Sequence, residues 1–332
     1  MSVEEEIRNQ AKQWLESGEV KYVIGYGTSP NSVLARPVFI SDAADVDQLV
    51  YNPGCVNNLT RFLVDEMKKK PAKGEEPDLR AVGIVVKPCD SKTIIELIKE
   101  NIVPRDRVKI IGVTSKGSVN PKKLEDVLKD VPLDKRGGAV LKQDGDNFVI
   151  EYEGGSKSVP MIELEADKCK VCVVHAPVIS DAAFGEEEPA AQADEFEDLK
   201  ELLEMSPEDR LKYWEEQVSK CVRCYACREA CPLCYCEECV FDRFKPYKWI
   251  ERSVNHRENL FYHMIRAMHL SGRCIDCGEC ERVCPMDIPL RKLNRFLIKE
   301  ARERFNIFAG MNAEDKPMFG TYDTGDPQEE IW

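Results

Sequence analysis

Apolar positions recur every three to four residues at the start of the chain. Val3, Ile7, Ala11, Trp14 and Leu15 fall on one face of a helix that ends near Gly18. Beyond it the period shortens to β-branched runs. Val20 to Ile24, Arg36 to Ile40, Ala81 to Val86, Val108 to Val113 and Phe148 to Tyr152 read as strands, with helices over 57–68, 91–100 and 121–129 between several of them. Such alternation predicts an α/β domain with a partly parallel sheet over residues 1–180. From 181 to 205 Glu, Asp and Ala dominate, which predicts a solvated linker running into a helix, or a tail that docks on a basic partner. From 206 to 311 the pattern is helical with no strand. Ile288-Pro289-Leu290 opens a last helix with an apolar stripe of Leu290, Leu293, Phe296, Leu297 and Ala301. Residues 312–332 lack periodicity and predict an extended or disordered tail. The fold class is an α/β N-terminal domain followed by an all-α C-terminal domain.

Composition narrows the function. The 332 residues are 43% hydrophobic, enough for two cores, and carry a net charge of −13, which excludes a nucleic-acid surface built on clustered Lys and Arg. No apolar run approaches the roughly 18 residues of a membrane span, and the acidic start is unlike a secretory signal. These features predict a cytoplasmic protein. In that reducing setting, fifteen cysteines point to metal ligation rather than disulfides. Only four histidines are present, and no Ser/His/Asp or paired-carboxylate arrangement suggests hydrolysis.

Eight cysteines form one spacing written twice. Cys221, Cys224, Cys227 and Cys231 precede Pro232, and Cys274, Cys277, Cys280 and Cys284 precede Pro285. Three thiolates at two-residue intervals wrap one corner of a cubane, while the fourth, where proline turns the chain away, reaches the other cluster. The spacing predicts two 4Fe-4S clusters, one on Cys221, Cys224, Cys227 and Cys284, the other on Cys274, Cys277, Cys280 and Cys231. Zinc sites would show paired Cys-x2-Cys knuckles instead. The long helical interval between the motifs and the phrase Gly272-Arg273-Cys274 resemble the α-helical ferredoxin domain of heterodisulfide reductase and fumarate reductase iron–sulfur subunits.

Cys234, Cys236 and Cys239 follow the first motif directly. They could hold a further metal with His256, His263 or His269 as outside ligand, pack as buried thiols, or replace an assigned ligand. In the first domain, Cys89 stands where a strand turns into a helix, a place that favours anions and thiolates. Cys169 and Cys172 add two thiols at cluster spacing, and Cys55 stands alone after Gly54. These four could converge on a third 4Fe-4S cluster, or be small buried residues and free thiols.

Lys87-Pro88-Cys89-Asp90, the opening Tyr22 to Thr28, the Cys169 and Cys172 pair, Pro177 and Asp181 together resemble the beta-subunit family of deazaflavin-coenzyme-reducing hydrogenases and formate dehydrogenases. With the ferredoxin region, the resemblance covers residues from about 20 to 300. It implies a first domain with a 4Fe-4S cluster and FAD. It also implies a complex with other redox subunits of formate dehydrogenase, hydrogenase or heterodisulfide reductase type. One departure stands out: where related chains often carry a cysteine after the strand ending at Val113, this chain has Thr114-Ser115, leaving Cys55 as candidate fourth ligand. Gly25, Gly27 and Thr28 follow a predicted strand but lack the third glycine and helix start of a dinucleotide fingerprint. The resemblance puts FAD contacts on them and on Lys87, Thr114 and Ser115. The implied function is an electron-relay subunit. A subunit that itself oxidises or reduces a deazaflavin or nicotinamide coenzyme is one alternative, and a structural or regulatory iron–sulfur protein is another.

Overall fold

The computed structural model describes residues 1–71, 73–74, 76–186, 195–243, 248–251, 253–318 and 324–325. Helix α1 (Val3–Glu16) opens with a capping box: the Glu5 N–H donates to Ser2 Oγ and the Ser2 N–H to Glu5 Oε2 at 2.7 Å. Its buried face, Ile7, Ala11 and Trp14, covers one side of the main sheet. Strands β1 (Val20–Ser29) and β2 (Ser32–Ile40) pair antiparallel. Helix α2 (Thr60–Met67) leads to β3 (Ala81–Val86), buried along its whole length, then α3 (Pro88–Lys99) and β4 (Val108–Val113).

The sheet order is β2-β1-β3-β4-β8, with β1, β3, β4 and β8 (Ala182–Phe184) parallel neighbours. Central parallel strands need both faces covered. Here α1 packs on Val23, Val85, Ile111 and Val113, while α2 and α3 pack on Val82, Ile84 and Val86. Helix α4 (Pro121–Val127) is capped by Asn120, whose side chain accepts from the Lys122 N–H at 3.0 Å. It covers a small antiparallel meander, β5 (Val140–Asp144), β6 (Asn147–Tyr152) and β7 (Gly155–Pro160), through Leu124, Phe148 and Ile150. Two single-turn helices, α5 (Met161–Leu164) and α6 (Asp167–Lys170), bring the chain back to the sheet.

Two expectations change. Gly25, Gly27 and Thr28 are not a loop after a strand; they lie inside β1, with Gly25 opposite Val38 and Gly27 opposite Arg36. The sheet also runs past residue 180. Asp181 accepts from the Ile110 N–H (2.8 Å) and pairs with Arg105 (2.7 Å), which seats β8 within the stretch expected to be linker. Residues 187–194 of that stretch lie outside the described residues.

Beyond β8 the described residues are helical: α7 (Lys200–Glu204), α8 (Pro207–Ser219), α9 (Ala226–Glu229), α10 (His256–His269), α11 (Glu279–Arg282) and α12 (Leu290–Phe305). Leu199 and Leu202 pack with Trp214, Leu260 and Leu293, and Asp198 pairs with the buried Arg291 and Arg295 of α12. Residues 198–202 therefore belong to the helical domain. The two domains share a core, since Cys231, Leu233 and Leu270 pack among the α2 and α3 side chains. After α12 the chain returns to α3, where the Gly310 N–H donates to buried Glu96 at 2.6 Å. The tail from 319 lies outside the described residues apart from Thr324 and Gly325. Among the described residues, no helix is long and apolar enough to cross a membrane.

Candidate functional site

The two cysteine loops follow the same course. Arg223 and Tyr225 have φ of 53° and 61°, and at the matching places Asp276 and Gly278 have 62° and 73°. Paired left-handed residues curl a loop so that successive N–H groups face one point, as in anion-binding nests. In the first loop the Arg223 N–H reaches Cys221 Sγ at 3.3 Å. Each loop then enters a one-turn helix, α9 or α11, that carries the third cysteine, Cys227 or Cys280.

Two buried cavities divide the eight thiols. Cys221, Cys224, Cys227 and Cys284 line one, with Tyr262 and His263 of α10. Cys231, Cys274, Cys277 and Cys280 line the other, with Arg266 of α10 and Asn294 of α12. Each cavity thus takes three thiols from its own loop and one from the other. Among the described residues no group of His, Cys, Asp or Glu converges so as to hold a single metal ion. The quartets surround space instead.

The walls suit an iron–sulfur cluster. Asn294 Nδ2 donates to Cys280 Sγ at 3.7 Å, and His263 Nε2 lies 3.3 Å from Cys221 Sγ. The Tyr262 hydroxyl and Arg266 Nε are buried with no hydrogen-bond partner in the protein. An unmet buried donor costs about 1–3 kcal/mol, so the walls call for an acceptor, and cluster sulfides are acceptors. Burial, with Arg266 and Arg223 nearby, pushes the His263 pKa down to about 4 and keeps the imidazole neutral. Burial also pushes the Cys274 thiol up to about 12, so a thiolate there needs a bound cation, which iron supplies.

A third cavity opens at the N-terminus of α3. Pro88 occupies the first helical turn, and Cys89, Cys169 and Cys172 line the cavity with Lys87, Lys92 and Lys168. It shares Ile275 and Asp276 with the second cavity, and Lys168 Nζ donates to the Cys277 carbonyl at 2.8 Å. Cys55 is not among the lining residues. It is 1% exposed in the apolar core, where Asn52 N–H reaches its sulfur at 3.4 Å and burial pushes its pKa up to about 12. Its expected place as fourth ligand is therefore corrected.

The expected flavin contacts do not form one surface. Gly25 and Gly27 sit in a paired strand, and the Thr28 carbonyl accepts from Arg36 at 3.0 Å. Lys87 is buried on Asp90 (2.8 Å) and the Asn57 carbonyl (2.6 Å). The Thr114 N–H donates to Phe184 (3.0 Å), and of the six only Ser115 and Lys87 line the third cavity. These residues do not fit a flavin, and no step is routed through one.

Tyr262, His263 and Arg266 were readable only as a helical stripe, since i, i+1, i+4 spacing marks a face without saying what it faces. Asn294 and Lys168 gave no signal, because each meets its cavity from a distant segment.

Comparison with known proteins accords with this layout. The F420-dependent formate dehydrogenase subunit beta of Methanocaldococcus jannaschii is 28% identical over 300 aligned residues, covering 72% of this chain and 76% of its own length. The F420-dependent formate dehydrogenase 1 subunit beta of Methanococcus maripaludis is 24% identical over 365, covering 93% and 91%. A chain of the F420-reducing nickel–iron hydrogenase complex from Methanosarcina barkeri superposes with a TM-score of 0.42 and 13% identity, over 65% of this chain and 86% of that one. Residues 217–288 match the 4Fe-4S dicluster domain. Through residues 79–197, which match the C terminus of the beta subunit, the chain belongs to the coenzyme F420 hydrogenase/dehydrogenase family.

Proposed function

We propose that this chain is the iron–sulfur electron-transfer beta subunit of an F420-dependent formate dehydrogenase or hydrogenase complex. The observation that carries the reading is the pair of thiol-lined cavities in the dicluster segment, the second of which shares a wall with the cavity of the F420 hydrogenase/dehydrogenase segment. Cys221, Cys224, Cys227 and Cys284 hold one 4Fe-4S cluster, and Cys231, Cys274, Cys277 and Cys280 hold the second. Cys89, Cys169 and Cys172 hold a third, with a fourth ligand other than Cys55. The clusters, when bound, carry electrons one at a time. The protein's own part is to bury them, aim N–H donors at sulfur and surround them with cations; the donors and cations favour the reduced state.

Partner subunits of formate dehydrogenase, hydrogenase or heterodisulfide reductase type supply and remove the electrons, and a reducing cytoplasm keeps the many thiols available to iron. The test is anaerobic reduction at low potential followed by electron paramagnetic resonance on the wild type and on Cys224→Ser, Cys277→Ser and Cys169→Ser. Reversible reduction, with a different signal lost in each variant, is expected. Redox-silent clusters would overturn the relay. Flavin released from the same sample, about one per chain, would add the two-electron role that the family resemblance implies.

A further inference from the structure

Three thiols remain outside these sites. Cys234, Cys236 and Cys239 follow the first motif and line an open cavity of about 210 Å³ between α10 and the α/β domain. The turn is fixed by the Cys234 N–H donating to the Cys231 carbonyl at 3.1 Å and the Asp242 N–H to the Cys239 carbonyl at 2.8 Å. His269, at the end of α10, lines the same cavity; His263 lines the first cluster cavity instead, and His256 lines neither.

The walls resemble those of the two cluster cavities. Arg61, Lys68, Arg228, Arg266 and Arg273 contribute five cations against the acids Glu229, Glu237 and Asp242. Arg266 Nε and the Tyr262 hydroxyl are both buried and without a partner, and both residues line this cavity as well as the second and first respectively. As with the two quartets, the thiols surround space and do not meet at a point suited to one ion. Leu233, Arg266 and Leu270 are common to this cavity and the cavity of Cys231.

We propose that Cys234, Cys236 and Cys239, with His269 as fourth ligand, bind an additional 4Fe-4S cluster that branches from the cluster of Cys231 toward the surface. Exchange between the two moves one electron from the reduced cluster to the oxidised one, breaking no bond and needing no proton. Cys236 is exposed, so the branch ends where a partner can reach it. The cationic wall offsets the charge that a cubane and three thiolates bring.

The inference goes beyond the relay reading, and two quantities separate them. One is the iron difference between the wild type and Cys234→Ser/Cys236→Ser/Cys239→Ser, which reads this site; the other is the iron left in that variant, which reads the relay. Anaerobically reconstituted full-length protein should lose about four irons and four sulfides per chain in the variant. It should also lose the spin–spin broadening that a neighbouring reduced cluster imposes, while the dicluster signals persist. Cys236→Ser alone, at an exposed position, should lower the same increment without disturbing folding. Equal iron and sulfide in wild type and variants overturns the proposal. So does loss of about one zinc in place of iron, which would make the site mononuclear.

Discussion

Arg273 and Glu100 form a two-pronged ion pair across the domain boundary, with Arg273 Nη2 2.7 Å from Glu100 Oε2 and Nε on the other oxygen. Glu100 ends α3, and Arg273 immediately precedes the first cysteine of the second motif. The Tyr235 hydroxyl donates to the same carboxylate at 2.6 Å, and the Arg273 guanidinium stacks near the Tyr235 ring. One largely buried carboxylate thus fixes both cysteine segments against the helix whose other end carries Cys89.

Arg273→Ala leaves Glu100 buried with a single neutral donor, and breaking such a pair from one side costs about 3 kcal/mol. The denaturation midpoint should fall accordingly. Arg273→Lys keeps the charge but loses the fork, so it should recover part of the loss. A midpoint unchanged in Arg273→Ala would show that the shared core alone holds the domains together.

Because each cavity borrows a thiol, damage should cross between motifs. Cys284→Ala removes a wall of the cavity of Cys221, Cys224 and Cys227, although Cys284 belongs to the second motif in sequence. Paramagnetic resonance of the reduced variant should show that cluster disturbed and the one on Cys274, Cys277, Cys280 and Cys231 intact. Damage confined to the latter would refute the crossed assignment.

How far the sequence disclosed these features follows from how local each signal is. Cysteine spacing is local, so the two motifs stood out. The walls of their cavities come from α10, α12 and the loop at Lys168, and only the fold brings them together. The same holds for strands. β3 and β4 are continuous apolar runs and were legible, whereas β5 and β7 are mostly exposed and polar, and β8 is three residues in an acidic stretch. Cys55 misled because a thiol after Gly54 carries no mark that separates a ligand from a core residue. Gly25 and Gly27 misled because glycine in a strand and glycine in a phosphate loop look alike in sequence.

Their strand placement gives those glycines a packing role. A Cβ on Gly25 would collide with Leu49 Cδ2, and one on Gly27 would lie 2.6 Å from Val38 Cγ1 and 3.2 Å from the Gln48 carbonyl. Gly25→Ala and Gly27→Ala should each destabilise the chain by about 1–3 kcal/mol through overpacking. Flavin and iron per folded chain should not change. Flavin loss at unaltered stability would instead restore the nucleotide-loop reading of this segment.

Lys168 is the cation best placed to act on two centres at once. Its backbone adjoins Cys169, its ammonium donates to the Cys277 carbonyl at 2.8 Å, and the side chain lines the cavity of Cys89, Cys169 and Cys172. Burial alone would lower its pKa, but attraction to the Cys89 and Cys169 sulfurs outweighs that and raises it, so it carries its proton throughout the neutral range. A fixed positive charge stabilises whichever neighbouring cluster has gained an electron, because the reduced form carries the extra negative charge. Lys168→Met keeps the length and removes the charge. In a redox titration followed by paramagnetic resonance, the cluster on Cys277 and the cluster on Cys89, Cys169 and Cys172 should both shift to more negative potential. The cluster on Cys221, Cys224, Cys227 and Cys284, whose cavity Lys168 does not line, should stay where it was. A shift of the Cys277 cluster alone would mean that the third cavity holds no redox-active cluster. No shift in either would remove Lys168 from the control of potential and leave it as a tether between the two domains.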